Sequence, residues 1–344
     1  MSQDDPLLEK VNNIDYFLID TNCMLHPVCF KILAENSKIT DINKLQRKMF
    51  TACIEYLEKI IHIAEPKKGV YIAIDGVAPV AKIKQQRSRR FKSIHDRDLY
   101  NNIRKKHGKE IPFFWTNSCI TPGTTFMKQL NQIIIDWSKE FSKKHKLEII
   151  YSSCYTPSEG EHKLLQYIYK NKDKNYTYMT YGLDADLIFL TLATGLEEIY
   201  LLRESDQINK KTSGFSIVSL SVMRNAIYNS FLTELEGNKE YSDENIVLDK
   251  ENIIRDFIFI CYLMGNDFLP HLPSLDIYDN AIDTLIMKYM ECHYELREYI
   301  INGNIINWKF FKMLIEELYL IEGETLVDAY SSKKKYRSSC KSSD

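Results

Sequence analysis

Four short apolar runs set the rhythm of the first half of the chain, and each leads to a polar turn that carries an acid. IDYFLI at 14–19 ends on Asp20, and GVYIAI at 69–74 ends on Asp75. LEIIY at 147–151 leads through a loop to Glu159, and residues 176–181 lead to Asp184. Buried runs of this length alternating with helical segments predict βα units, hence an α/β fold with a mostly parallel central sheet flanked by helices. Helical periodicity is expected over Ile42–Ile63, Lys82–Lys106, Thr124–Lys144, Glu161–Tyr169, Ile253–Met264 and Asn280–Ile301. Asp256 and Glu251 fall inside helical patterns and read as solvated charges. GNKEYSDEN at 237–245 reads as a polar loop, and the Ser- and Lys-rich residues 331–344 read as a disordered tail.

The position of the acids changes this from a fold pattern into a chemical one. In open α/β sheets, ligands bind at the carboxyl ends of the strands, so these acids are placed to converge on one edge. Glu159 and Glu161 in SEGEHK, and Asp184 and Asp186 in YGLDADL, are pairs two residues apart where a strand hands over to a helix. With Asp20, Asp75 and Asp267 in MGNDF they make seven carboxylates from five stretches. Any one pair alone reads as a helix N-cap. Five such sites together point to metal, because clustered carboxylates repel one another unless cations lie among them. Oxygen-only ligands select Mg²⁺ or Mn²⁺, and two such ions about 4 Å apart suit phosphodiester cleavage.

Composition adds bounds rather than function. In 344 residues, 45 Lys and Arg against 47 Asp and Glu nearly cancel, so only local charge can speak for a nucleic-acid partner. The start, MSQDDPLLEK, lacks the basic and apolar regions of a secretory signal, and no run approaches the roughly 20 apolar residues of a membrane span. Eight scattered cysteines without a CxxC pair favour reduced thiols in a cytoplasmic or nuclear setting.

One stretch is locally basic. In DGVAPVAKIKQQRSRRFKS, Lys82, Gln86, Arg89 and Arg90 recur at helical spacing directly after Asp75. Arginine forks suit phosphate oxygens, so this face reads as a terminal-phosphate pocket, with a solvated surface helix as the alternative. His26 is placed to stack on a base or to pack in the core.

LIDTNCMLHP, AIDGVAPVAKIKQQRSRRFKS, NSCITPGTTFM, SEGEHKLLQYI, YGLDADLIFL with LLRES, and YLMGNDFLPHLPSL resemble, in order, the segments of the Xrn-type 5′→3′ exoribonuclease family over residues 14–278. The resemblance implies a PIN/flap-endonuclease-like nuclease core at 1–278. At 279–330 it implies a helical extension, the start of the family's second conserved region. It implies that Asp20, Asp75, Glu159, Glu161, Asp184, Asp186 and Asp267 hold two Mg²⁺ (or Mn²⁺) ions. Substrate then falls to Lys82, Gln86, Arg89, Arg90, His26 and Asn22, the partner being single-stranded RNA with a 5′-monophosphate. Val80 stands where the family commonly has arginine, and Ser158 where it commonly has glycine. The family's MGxPxxxRW start and the remainder of its second region have no counterpart here. Two other readings are a structure-specific 5′ flap DNA nuclease and a non-catalytic binder of RNA 5′ ends. A branched-DNA assay tests the first, and binding without shortening marks the second.

Overall fold

A computed structural model of the protein describes residues 11, 13–36, 38–111, 113, 115–205, 214–237, 246–275 and 280–341. The chain divides into two compact units, Met1–Ser221 and Val222–Asp344.

In the first unit the elements run β1 (Tyr16–Asp20), α1 (Asn22–Glu35), α2 (Ile42–Ala64), β2 (Gly69–Ala73), α3 (Val80–Lys106), α4 (Thr125–His145), β3 (Glu148–Ser152), α5 (Gly160–Lys170), β4 (Tyr178–Tyr181), α6 (Ala185–Ala193), β5 (Ile199–Ser205) and β6 (Gly214–Ser219). The strands form one sheet in the order β3-β2-β1-β4-β5-β6, parallel except for β6, which pairs antiparallel with β5. All five residues of β1 are buried, as expected of a central parallel strand covered on both faces. Phe17 and Ile19 enter a core built with Met49, Phe50, Cys53 and Leu57 of α2 and Leu130 and Ile134 of α4. Tyr16 points to the opposite face by the two-residue period of a strand and meets Tyr167 of α5. Each such buried Leu, Ile or Phe is worth roughly 1.5–3 kcal/mol of transfer free energy.

The topology sets up the site. From β1 the chain builds outward through β2 to β3, then returns to the other side of β1 to place β4. The strand order therefore reverses beside β1, and ligands of doubly wound sheets bind at the carboxyl ends next to such a reversal.

The second unit holds nearly all of α7 (Leu220–Gly237), then α8 (Lys250–Cys261), α9 (Ala281–Leu296), a two-stranded hairpin of β7 (Ile301–Asn302) and β8 (Ile305–Ile306), and α10 (Trp308–Lys341). Asp256 corrects the sequence reading. It is fully buried and accepts hydrogen bonds from the Tyr289 hydroxyl at 2.6 Å and the Ile300 and Ile301 amides at 2.7 and 2.8 Å. Its helical face is the apolar one, with Ile253, Phe257 and Ile260, and three donors make its burial tolerable. Glu251 is half-exposed and pairs with Arg224.

From sequence the first domain ends at 278 and a disordered tail begins at 331; the contacts instead divide the chain after Ser221, and α10 runs to Lys341. Extending an existing helix adds one hydrogen bond per residue fixed, and the Lys and Arg of this stretch are good helix formers. Residues 342–344 and most of the 237–245 segment lie outside the described residues.

Candidate metal centre and phosphate pocket

Asp20 is the last residue of β1, and Asp75 lies two residues beyond β2. Glu159 and Asp184 occupy the N-cap positions of α5 and α6, with Glu161 and Asp186 in the first turns. Strands β2, β1 and β4 are adjacent and parallel, so these six acids emerge at one sheet edge. How closely the parts meet is read from Gly160: a Cβ there would lie 2.4 Å from Asp20 Oδ1 and 3.3 Å from Asp75 Oδ1. Only a glycine lets the start of α5 press onto the acids of β1 and β2.

Hydrogen bonds bear on the helix-cap alternative. Asp41, Thr124 and Asp249 cap their helices in the ordinary way, each side chain accepting from a backbone N–H one turn on. Glu159 and Asp184 stand at the same position and make no such bond. Glu159 Oε1 is buried without a hydrogen-bond partner. An orphaned buried carboxylate oxygen costs a few kcal/mol unless something else satisfies it. A hard cation would.

Crowding and burial act on the same groups. Burial, then the neighbouring Asp75 and Asp184, push the Asp20 carboxyl up to about 7. Burial, then Asp20, Asp186 and Glu159, push Glu161 up to about 8, against the pull of Lys82. Asp75 is raised by burial and Glu159 as well. The site thus holds negative charge that wants a counter-ion, and its donors are carboxylate oxygens; the residues present fit a hard divalent cation. His162 Nδ1 lies 3.8 Å from Glu161 Oε1, and Glu159, Glu161 and His162 offer ligand atoms within 4.8 Å of one another.

Around the acids the predicted substrate residues divide. The Asn22 amide donates to Asp75 Oδ2 at 2.8 Å and its carbonyl accepts from the Asp75 N–H at 3.2 Å, so Asn22 orients an acid. Lys82, on the first turn of α3, reaches Glu159 Oε2 at 3.1 Å with its side chain 15% exposed. Arg90 donates to the Thr121 hydroxyl at 3.0 Å, Gln86 is half-buried and Arg89 is exposed. Helix α3 buries none of its 27 residues. His26, on α1, is half-buried, and burial lowers its imidazole below the ordinary range. Asp267 belongs to the second unit, where Gly265 (φ 82°) and Asn266, whose Oδ1 accepts from the Phe268 and Leu269 amides, form a fixed turn ahead of it.

The model of the XRN 5′-3′ exonuclease N-terminus matches residues 2–205, well over half of the chain, and that of the Xrn1 helical domain matches 247–343. The chain belongs to the XRN 5′-3′ exonuclease family. It is 32% identical to 5′-3′ exoribonuclease 2 of Kluyveromyces lactis, over 94% of this chain and 35% of that protein. To 5′-3′ exoribonuclease 1 of Schizosaccharomyces pombe it is 31% identical, over 95% of this chain and 25% of that protein. The chain thus spans about a third or less of the length of these two curated relatives. Among solved structures it is similar to the catalytic core of Rad2 in complex with DNA substrate, at 13% identity and a TM-score of 0.38, over 90% of this chain and 72% of that one.

Within the XRN frame, Ser158 marks a cost at the site. It holds φ at 101°, a conformation natural to glycine. It is kept there because its N–H donates to Val77 O and its carbonyl accepts from the Gly76 N–H, lacing the loop before Glu159 to the loop after Asp75. Ser158→Gly is therefore expected to raise stability by about 1 kcal/mol, the strain relieved exceeding the entropy added to the unfolded chain. A urea titration with an unchanged or lower midpoint would count against that strain.

Sequence reasoning missed three contributors. Cys23 donates its thiol to Asp20 Oδ2 at 3.2 Å. Gly160 permits the close approach, and Lys163 is buried beneath the acids. The available signal was periodic: Gly160, Lys163, Leu164 and Ile168 share the inward face of α5. No helix among the described residues is long and apolar enough to cross a membrane.

Proposed function

We propose that the chain is a 5′→3′ exoribonuclease that hydrolyses single-stranded RNA bearing a 5′-monophosphate to mononucleotides, with two Mg²⁺ or Mn²⁺ ions. The observation that carries this reading is a set of crowded carboxylates at one sheet edge, two of them at cap positions without capping bonds, beside the cationic start of α3. Asp20, Asp75, Glu159, Glu161, Asp184 and Asp186 would hold the ions. When bound, these supply an activated water and stabilise the leaving oxygen.

The chain's own residues then fix which bond is cut. Gln86, Arg89 and Arg90 bind the terminal phosphate, joined by Lys82 once Glu159 is neutralised. A pocket for one phosphate excludes capped and triphosphorylated ends. His26 stacks on a base, and Asn22 holds Asp75 in register.

The test compares RNAs with 5′-monophosphate, 5′-hydroxyl and capped ends in Mg²⁺, resolving product lengths over time. Mononucleotides are expected from the monophosphate alone, at a rate at least roughly 100-fold above the others, since the lost charge-assisted bonds are each worth about 1.5–3 kcal/mol. Equal rates on all three would defeat the pocket. RNA bound in Mg²⁺ but never shortened would defeat the enzyme.

A further inference from the structure

Lys163 is the least expected residue beneath the site. It is 2% exposed, one helical turn after Glu159 and two residues after Glu161. Its ammonium donates to Ile74 O at 2.6 Å and Ser153 O at 2.9 Å. Both carbonyls lie just past the last paired residues of β2 and β3, where the ladder no longer fixes them.

The Ile74 contact matters most because of what that carbonyl belongs to. The peptide unit joining Ile74 to Asp75 is held at both ends: its carbonyl accepts from Lys163, and its N–H donates to Asn22 Oδ1. The Asp75 carboxylate is held at both oxygens, by the Gly160 N–H at 2.6 Å and the Asn22 amide at 2.8 Å. Two of the partners that fix Asp75, Gly160 and Lys163, come from α5, the helix that carries Glu159 and Glu161. An ammonium buried this deeply costs several kcal/mol unless compensated. The two carbonyls and the nearby Asp75 and Asp20 are the compensation on hand. A methionine would fill the same space at no such cost, so the cation answers to a need other than packing.

We infer that Lys163 is a positioning residue: by joining α5 to the ends of β2 and β3, it holds Asp75 in register with Glu159 and Glu161 for a shared divalent ion. This rests on the metal reading above, and the experiment separates the two.

The full chain and its Lys163→Met and Lys163→Arg variants would be titrated with Mn²⁺ by calorimetry and melted in EDTA. Lys163→Met is expected to bind Mn²⁺ at least about tenfold more weakly, the loss typical of residues that orient metal ligands. Lys163→Arg, which keeps the cation and can reach both carbonyls, should recover part of that affinity. If Lys163→Met melts lower but binds Mn²⁺ like the parent, the lysine is structural and the inference fails. Should Lys163→Met not fold, Lys163→Gln decides: its shorter, neutral amide cannot span both the Ile74 and Ser153 carbonyls, so several-fold weaker Mn²⁺ binding with a near-parental melt in EDTA supports the inference, and parental affinity overturns it. A parent chain that takes up no Mn²⁺ would remove the metal reading itself.

Discussion

Replacing Asp20 with asparagine is expected to abolish the proposed RNA cleavage and, in the same protein, to stabilise the metal-free fold. The loss of activity should be roughly 10³-fold or more, since it removes a ligand from an arrangement whose ions would supply several kcal/mol of charge stabilisation. The gain in stability follows from the raised carboxyl. The unfolded chain releases this proton near pH 4, whereas burial, Asp75 and Asp184 keep it bound in the folded protein up to about pH 7. Between those values the folded state binds more protons, so its stability falls as pH rises, and above pH 7 the whole penalty stands. Asparagine carries no such penalty. In EDTA the variant should match the parent near pH 4 and pull ahead through pH 7, by on the order of 2–4 kcal/mol at pH 8. Adding Mg²⁺ at pH 8 should close the gap, because the parent, with one more carboxylate at the site, gains more binding free energy. Melting curves over this pH range, with and without Mg²⁺, decide it; a variant that tracks the parent in EDTA at every pH would show that Asp20 is not crowded.

That trade-off explains why the acids of the candidate site stand out in sequence. Carboxylates at strand ends defy the economy of a stable fold, and the four apolar runs before them mark the strands. The unread parts have separate physical reasons. Helix α1 was missed because Pro27 lies inside it, in the second turn, where proline removes a backbone donor and ordinarily breaks a helix. Helix α6 is nine residues and apolar nearly all round, so it has no helical period to detect. Strand β6 reads GFSIVS, with exposed positions and an antiparallel edge place that no buried run announces. Asp256 was misread because its partners, a tyrosine hydroxyl and two amides, lie 33 to 45 residues away. Lys163 was missed for the same reason: its carbonyl acceptors belong to backbone, which leaves no trace in side-chain spacing.

Gly160 is where sequence, packing and chemistry meet most tightly, and Gly160→Ala is the smallest change expected to disable the proposed cleavage. The added methyl would sit 2.4 Å from Asp20 Oδ1, well inside contact distance. Asp20 cannot simply swing away, because its oxygens accept from Cys23 Sγ and from the Asn22 N–H at 3.3 Å. Helix α5 must therefore back out and carry Glu159 and Glu161 with it, loosening the Gly160 bond to Asp75. Overpacking of this kind costs about 1–3 kcal/mol, and a displacement near 1 Å at a reacting centre costs roughly 100-fold in rate. Both should appear: a lower melting midpoint, and turnover at least about 100-fold down with a raised Mg²⁺ requirement. Gly323→Ala is the matched control. Nothing lies within 4 Å of a Cβ at that helical position, so the same substitution should stabilise by about 0.5–1 kcal/mol and leave cleavage unchanged. If Gly160→Ala cleaves monophosphorylated RNA within twofold of the parent, the start of α5 does not press on the acids, and the close register of Asp20, Asp75 and the two glutamates is wrong.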